Sequence, residues 1–359
     1  MEIFCSSNIF KVEQNITFSY RYIFYYLIAS KISILEDRAL LDSIVNNLCT
    51  NIHEERSANI LIFMIHNTGS KQFVDNLLYT SMLPFENSPM ATLAIEDSLF
   101  KNLSDLVNEI KSEVLIENTN SKEERIKALK ASDNIERQVE SKNSNSTSEI
   151  DDPVIRDLNN TIRIIRILGQ IVKNQSETFE KSLLIEIIEE AYKVGFRTIG
   201  FFTQMINDNK EDFVQFILEE NNKVKRFDEH SLEDRVRKLL AMILYRICLS
   251  TFSNLSFAIG NPEMEEVYDE VANRIGSPAA KVVSFTIKSY YNKMKISDLK
   301  DIVQEFKGNP VVLEIIKARV IRYVYHNPID VSTRQQIGAI CNLKLVNNAH
   351  LNKHIQNDM

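Results

Sequence analysis

The scarcity of chain-breaking residues is the feature that most constrains what this sequence can fold into. The 359-residue chain contains 8 glycines and 7 prolines, each about 2% of the residues against typical values of about 7% and 5%. Because these residues end helices and form tight turns, so few of them favour long uninterrupted helices. All-β folds, which need many turns, and glycine-rich cofactor folds are therefore unexpected. Apolar residues recur every three to four positions along most of the chain, which predicts a mainly α protein.

The breaks that do occur divide the C-terminal half into helical pairs. They fall at Gly260-Asn261-Pro262, Gly276-Ser277-Pro278, Gly308-Asn309-Pro310 and Asn327-Pro328. The prolines are 16, 32 and 18 residues apart, a spacing that fits helical hairpins packed side by side. We therefore predict a helical hairpin array, either solenoid-like or an irregular bundle, without a recognisable named repeat.

Residues 8–18 carry the clearest β signal in the sequence. Two short alternating runs flank Glu13-Gln14-Asn15, which predicts a small N-terminal β-hairpin. An aromatic-rich helix is expected to follow over residues 20–32. Its aromatic side chains are expected in the core rather than on a base-stacking platform; they are Tyr20, Tyr22, Phe24, Tyr25 and Tyr26.

A change of composition predicts the domain boundary. Residues 121–140 are dense in charge, which favours a solvated helix or a partner-binding face. Residues 141–153 are rich in serine and asparagine and contain a single apolar residue, too few to offset the entropy of ordering. The predicted organisation is an N-terminal region over 1–140, a flexible linker over 141–153 and a helical array over 154–359.

Charge and cysteine content narrow the class of protein. The 42 basic and 49 acidic residues give a net charge of -7, which argues against general nucleic-acid binding. Cys5, Cys49, Cys248 and Cys341 are far apart and form no CxxC pair, as in proteins of the reduced cytoplasm. Residues 18–34 come closest to a membrane span but include two basic residues, so a buried or half-buried helix is expected there.

Motifs for nucleotide and metal chemistry are weak. Gly195 and Gly200 have G-x4-G spacing, but Phe201-Phe202 stands where a phosphate loop requires lysine and a hydroxyl. His53-Glu54-Glu55 resembles the start of a zinc-protease helix, yet position 57 is serine. His350 and His354 are four residues apart near the C-terminus, where a frayed tail is the better interpretation. We expect no cofactor and no metal site.

One spacing leaves a catalytic alternative open. Arg319 and His326 are seven residues apart, so on a helix both side chains would face one way. The pattern Arg-x6-His resembles the signature of HEPN-type ribonucleases, all-helical enzymes in which the pair handles the 2′-hydroxyl and the phosphate. Those motifs usually have a polar residue directly after the arginine, where this chain has Val320.

Several short segments of the sequence also occur in the order in which similar segments occur in one protein family. Residues 8–33 look like the wing of a winged helix running into an aromatic helix, and residues 53–63 are similar to the helix that follows it. Residues 167–174, 195–197 and 334–337 continue the order. Together they resemble the C-terminal helical region of bacterial STAND NTPases, the NACHT-type signalling ATPases, many of which act in anti-phage defence.

The catalytic part of that family has no counterpart in this sequence. The phosphate loop, the acidic Walker B strand and the effector region are missing from this sequence, so no ATP-binding residue can be transferred to it. The resemblance implies a non-catalytic sensor, regulatory or scaffold module of a bacterial cytoplasmic protein. It would bind a protein ligand or partner, with an NTPase subunit as one candidate, and neither specific nucleic acid nor a membrane would be involved. The alternative is the helical ribonuclease with Arg319 and His326.

Overall fold

The computed structural model describes residues 9–12, 16–97, 114–117, 152–224 and 229–347, and this part of the chain is mainly α-helical. The helices are α1 (Arg21–Ser33), α2 (Arg38–Thr50), α3 (Glu55–Thr68), α4 (Lys71–Ser81), α5 (Pro153–Asn174), α6 (Lys181–Val224), α7 (Glu229–Ile259), α8 (Glu265–Ile275), α9 (Pro278–Tyr291), α10 (Ile296–Glu305), α11 (Pro310–His326) and α12 (Val331–Cys341), with a 3-10 turn at Pro262–Met264.

The contacts divide the chain into two units. One unit lies within Met1–Glu86 and Thr147–Val194, and the other within Asn87–Ser146 and Gly195–Met359. The division passes through α6 and differs from the predicted one, because α5 packs against α3 and α4 rather than joining the C-terminal array. The predicted linker is outside the described residues up to position 151, so its flexibility stays a prediction.

Three helices begin in the same way. Each starts with a proline at its first position, preceded by a polar residue whose side chain accepts a hydrogen bond from the first turn. Asp152 accepts from Val154, Ser277 from Ala280 and Asn309 from Val312. Proline has no N–H to leave unpaired there, and the cap satisfies another of the free donors. The breaks predicted at Pro278 and Pro310 are therefore confirmed as helix starts.

In the N-terminal unit, α3 is the central helix. It packs against α1, α2 and α5, and its apolar side chains Leu61 and Met64 are fully buried. From α5, Ile164 and Leu168 are also fully buried. The apolar residues of α5 recur with helical period, which is why one face of this helix forms core.

The prediction for the aromatic residues of α1 is wrong for most of them. Tyr25 is buried, whereas Tyr20, Tyr22, Phe24 and Tyr26 are exposed. The reason is that α1 is apolar on nearly all sides, and a helix that packs mainly on one neighbour can bury only one face. On the buried face of α1 lie the side chains of Tyr25 and Ala29.

In the C-terminal unit, α6 and α7 run antiparallel. The rings of Phe196 and Phe252 meet at 6.3 Å, and farther along the pair Arg237 binds Glu211 through two hydrogen bonds of 2.8 Å. The pairing therefore extends over several helical turns. Next to it, α7 packs on α9, α8 on α9, α9 on α11, and α10 on α12.

Among the glycines described in this unit, Gly200 has the closest backbone neighbour. A Cβ atom at this position would lie 1.7 Å from the carbonyl oxygen of Pro89. A Cβ at Gly195 would lie 2.7 Å from the Leu255 side chain. The two glycines that have phosphate-loop spacing in the sequence are thus sites of close packing within α6.

Short strands add little to the fold. Phe10–Val12 (β1) pairs antiparallel with Ile16–Phe18 (β2). Residues 13–15 between them are not described, so this pair does not establish the predicted hairpin or wing. Val114–Glu117 (β3) pairs in parallel with Lys344–Asn347 (β4).

One helix in the described ranges passes a length and composition test for a membrane span. It covers Leu232–Ile259, and its most apolar window of 18 residues has a mean hydropathy of 1.4, with 33% of that window buried. Core helices of water-soluble proteins pass the same test, so the finding is weak evidence for a span. In this structure Cys248, Phe252 and Leu255 of that helix are fully buried against its neighbours.

Candidate functional site

The C-terminal unit has an open groove between α8, α9 and α10 with a volume of about 430 Å³. Its charged and polar side chains come from three helices. The groove is lined by Asp269, Ala272, Asn273, Lys281, Ser284, Phe285, Lys288, Asp298, Asp301, Ile302 and Glu305.

Helical periodicity places the polar groups of α9 on the groove. Lys281, Ser284 and Lys288 stand at positions i, i+3 and i+7 of this helix, which share one face. The remaining faces of α9 are almost entirely buried. This helix is therefore a core helix with a single polar face, and that face lines the groove.

The polar groups of α10 follow the same spacing with the opposite charge. Asp298, Asp301 and Glu305 also stand at i, i+3 and i+7, so an acidic stripe on α10 lies across the groove from the basic stripe on α9. Of the apolar residues of α10, Leu299 is fully buried, and Ile302, which also lines the groove, is nearly so. The apolar residues of α10 thus fix which way its carboxylates point.

Both groove lysines are held by carboxylates. Lys288 donates to the two carboxylate oxygens of Asp269 at 2.8 and 3.0 Å, and the Ser284 hydroxyl donates to the same carboxylate at 2.7 Å. Lys281 pairs with Glu305. Two cations are therefore neutralised by two of the four acids in the groove.

The other two acids form no ion pair with the two groove lysines, although Asp298 acts electrostatically on Lys295 and adds to the effect of Glu265 in raising the pKa of that ammonium group. Asp298 accepts a hydrogen bond from the neighbouring Ser297 hydroxyl at 3.0 Å, and Asp301 is exposed at the groove. With four carboxylates against two ammonium groups, the lining carries a net negative charge of two. The lining has no histidine or cysteine. The arrangement is suited to recognising a cationic group by charge and hydrogen bonding.

Both residues of the alternative site, Arg319 and His326, belong to α11 and are seven residues apart. Arg319 is buried, and its guanidinium donates to the Ser253 hydroxyl at 2.5 Å and to the Leu249 carbonyl, both on α7. Burial, assisted by repulsion from Arg322, lowers the pKa of Arg319 to about 10. These contacts give Arg319 a structural role in joining α11 to α7.

His326 is the last residue of α11. Its ring is half-buried and meets the Tyr325 ring edge-on at 5.2 Å. Because the guanidinium of Arg319 already binds α7, a catalytic role for this pair would require those hydrogen bonds to be shared with a substrate. The catalytic interpretation of Arg319 and His326 stays a prediction.

The other sequence motifs have structural surroundings or are not described. His53 lies at the turn before α3 and takes part in no metal-binding group, since the described ranges contain no cluster of three His, Cys, Asp or Glu side chains. His66 is bound by Gln175, whose amide lies 3.0 Å from Nδ1. His350 and His354 are outside the described residues, as is Cys5. Cys49, Cys248 and Cys341 are free thiols and buried.

The groove residues were not singled out from the sequence. The sequence contains polar residues at i, i+3 and i+7 on two successive helices. This spacing does not specify that the two polar faces lie opposite one another. Comparison with known proteins adds nothing to the assignment, because no protein-family model, curated protein or solved structure matches this chain.

Proposed function

We propose that this chain is a non-catalytic helical module that acts as a sensor, regulator or scaffold by binding a protein ligand in the groove of α8, α9 and α10. The observation that carries the proposal is the pair of facing stripes on α9 and α10. Their excess of carboxylate predicts a ligand segment that presents lysine or arginine.

The ion pairs within the groove are weak enough for a cationic ligand to replace the lysines in them. The pairs that Asp269 and Glu305 form lie partly in solvent, where such pairs contribute only about 0–1 kcal/mol each. An incoming cation can therefore contact the carboxylates of Asp298 and Asp301, which form no ion pair with the groove lysines, and compete for the paired carboxylates at low cost. Charged groups in such a position mainly direct specificity and association rate.

The finer proposal is that the chain corresponds to the C-terminal part of a STAND NTPase-like protein in bacterial anti-phage defence. This rests on the phrases in residues 8–33, 53–63 and 334–337. The finer proposal also states that the helices form a hairpin array with an N-terminal wing and that the protein is cytoplasmic. Ligand binding would then bias an attached or partner ATPase between closed and open states, which requires different affinities for the two states.

The test is affinity enrichment of the full chain with quantitative mass spectrometry. Wild type is compared with Asp298→Asn/Asp301→Asn, which keeps the size of both side chains and removes the free groove charges. The matched control is Asp212→Asn, an exposed acid on α6 away from the groove. A ligand bound in the groove should be enriched by wild type and by the control, and depleted in the groove variant by about tenfold.

Two results would contradict the proposal. One is a set of proteins recovered equally by wild type and the groove variant. The other is a chain that recovers no protein and shows no saturable binding to a lysine- and arginine-rich peptide. Recovery of an ATP-binding protein among the groove-dependent proteins would support the finer proposal.

The helical ribonuclease is the alternative. In its favour, Arg319 and His326 share helix α11 at a spacing of two turns. Against it, the guanidinium is buried and donates to Leu249 and Ser253. The groove therefore supports the binding function better than α11 supports catalysis.

A further inference from the structure

A second, smaller cavity adjoins the groove at the C-terminal end of α9. Its volume is about 10 Å³, and its lining comes from the start of α8, the last two turns of α9, the turn that follows and the first turn of α10. Phe285, Lys288 and Asp298 line both cavities. A ligand that lies along the groove can therefore reach the smaller cavity without leaving the protein surface.

The two cavities have opposite net charge. Three lysines face two carboxylates in the smaller cavity, which gives its lining a net charge of +1; they are Lys288, Lys293 and Lys295 against Glu265 and Asp298. The lining of the groove has a net charge of -2. A single ligand that covers both cavities therefore meets a positive field at one end and a negative field at the other.

Two of these lysines are already held by acids of the protein. Lys288 donates to Asp269 at 2.8 Å, and Lys295 donates to Glu265 at 3.0 Å. Their charges are thus neutralised within the unit. The cation of the smaller cavity that is available to an anionic ligand is Lys293.

Lys293 is exposed and forms no ion pair with another residue in the part of the chain that the structure describes. Its ammonium group acts on Asp330 at the start of α12. The pKa of Asp330 is lowered chiefly by hydrogen bonds from Thr333 and least by Lys293, so this charge interaction is weak. The ammonium group can therefore bind a ligand carboxylate without first giving up a partner of its own.

The groove acids that form no ion pair with its lysines lie close to the smaller cavity along α10. Asp298 lines both cavities, and Asp301 is three residues farther along the helix, about 5 Å at the rise of an α-helix. An extended chain advances about 3.3–3.6 Å per residue. A cationic side chain at Asp301 and an anionic side chain at Lys293 therefore fit a separation of about two to four residues in one segment.

We propose that the groove and the smaller cavity together bind a protein segment that has an arginine or lysine and, about two to four residues away, an aspartate or glutamate. The cationic side chain would lie between Asp298 and Asp301, and the carboxylate would bind Lys293. This inference rests on the proposed function and adds the anionic half of the ligand, which the charge of the groove alone does not predict.

The size of the smaller cavity favours a carboxylate over a phosphate. A volume of about 10 Å³ holds about one water molecule, so one carboxylate oxygen can enter while the rest of the group stays outside. A phosphate spreads its larger charge over three oxygens and would leave most of that charge beside the acidic groove. Nucleic acid, with a phosphate at every nucleotide, would be repelled there more strongly.

The experiment measures binding of labelled twelve-residue peptides to the full chain by fluorescence anisotropy. Each peptide has two adjacent arginines at its centre in a background of glycine, serine and alanine. One glutamate is moved through the positions one to five residues away on either side, and matched peptides have glutamine or phosphoserine at the same position. The scan finds the direction and spacing of the two charges without assuming either.

The variants separate the two halves of the ligand. Lys293→Gln removes the charge that the carboxylate would bind, and Lys293→Glu reverses it. The control Lys300→Gln removes an exposed lysine of α10 that lines neither cavity. Asp298→Asn/Asp301→Asn tests the cationic half, which is the proposed function itself. Circular dichroism verifies that each variant is folded.

We expect glutamate about three residues from the arginines to strengthen binding about fivefold relative to glutamine, in wild type and in Lys300→Gln. This ratio should fall below about twofold in Lys293→Gln and invert in Lys293→Glu. The inference fails, and the proposed function stands, if glutamate has no such effect or has the same effect in Lys293→Gln while binding still depends on Asp298 and Asp301. Tighter binding of a phosphoserine peptide through Lys293 would also overturn it. Both proposals fail if no peptide binds or if binding is unchanged in Asp298→Asn/Asp301→Asn.

Discussion

Arg319 on α11 donates a hydrogen bond to the hydroxyl of Ser253 on α7 at 2.5 Å, and its second donor reaches the Leu249 carbonyl one turn earlier. Nearby, the hydroxyl of Tyr245 donates to the carbonyl of Glu314 at 3.1 Å. Polar contacts therefore join α7 and α11 at two levels. They fix how these helices pack in the unit that carries the groove.

Replacing Arg319 should destabilise the protein. In Arg319→Ala the hydrogen bonds from the guanidinium to the Ser253 hydroxyl and the Leu249 carbonyl are lost, although the Ser253 hydroxyl still donates to that carbonyl at 2.8 Å. Losing hydrogen bonds from a charged donor costs about 1–3 kcal/mol, and the contacts of the long side chain are lost as well. Denaturant unfolding should show the decrease. Arg322→Ala, an exposed arginine on the same helix, should change the free energy of unfolding by less than about 0.5 kcal/mol.

His326→Ala tests the ribonuclease alternative. Since Arg319 is held by α7, we expect purified wild-type protein to leave structured and single-stranded RNA intact over hours, with the variant indistinguishable from it. The measurement is gel analysis of labelled RNA. Cleavage by wild type that disappears in His326→Ala would establish the alternative and remove the non-catalytic proposal.

Gly200→Ala should be strongly destabilising. The new Cβ would lie 1.7 Å from the backbone oxygen of Pro89, and a backbone segment cannot yield as a side chain does, so a loss of about 3 kcal/mol is expected. Gly308→Ala is the matched control. Its Cβ would lie 3.9 Å from the Ile95 side chain, an ordinary contact, and stability should change by less than about 1 kcal/mol. Equal melting temperatures for both variants would refute the close approach.

The buried thiols should make stability decrease in alkali. Burial raises the pKa of Cys341 to about 11 from an ordinary value of 9.0. The neutral thiol is therefore favoured by the folded state, so this contribution is complete below about pH 9 and is lost as the pH rises toward 11. Unfolding curves should show a smaller decrease between these values for Cys341→Ala. An unchanged decrease would contradict the assignment.

The burial of the cysteines also predicts that their thiols react slowly in the folded protein. In a Cys5→Ser background, the thiols of Cys49, Cys248 and Cys341 should react with iodoacetamide at pH 8 only after unfolding, because the thiolate is the reactive form and access is closed. Mass spectrometry counts the modified sites. Rapid native-state labelling of any of the three would show that its surroundings open readily.

The helical class and several helix starts could be predicted from the sequence because they depend on local chemistry. A polar cap before proline defines the starts at Pro278 and Pro310, and Gly276, in left-handed conformation with φ of 68°, ends α8. Such signals act within a few residues. The division into units depends on contacts between α5 and α3, more than 80 residues away in sequence, and no local pattern specifies such contacts.

The groove could not be predicted from the sequence for a related reason. The stripes of Lys281 and Lys288 on α9 and of Asp298 and Glu305 on α10 have ordinary helical spacing, and each alone is typical of a solvated face. Only the packing of α8, α9 and α10 turns them toward one another. The aromatic residues of α1 show the opposite error, since their hydrophobicity predicts burial although one side of the helix has no neighbour in the described part of the unit.

The central claim, that the groove of α8, α9 and α10 binds a cationic protein segment, is tested most directly by hydrogen–deuterium exchange of the full chain with and without a lysine- and arginine-rich peptide. We predict slower exchange confined to residues 265–305, absent in Asp298→Asn/Asp301→Asn and retained in Asp212→Asn. Protection elsewhere in the chain, or protection in this segment that survives in the groove variant, would contradict it.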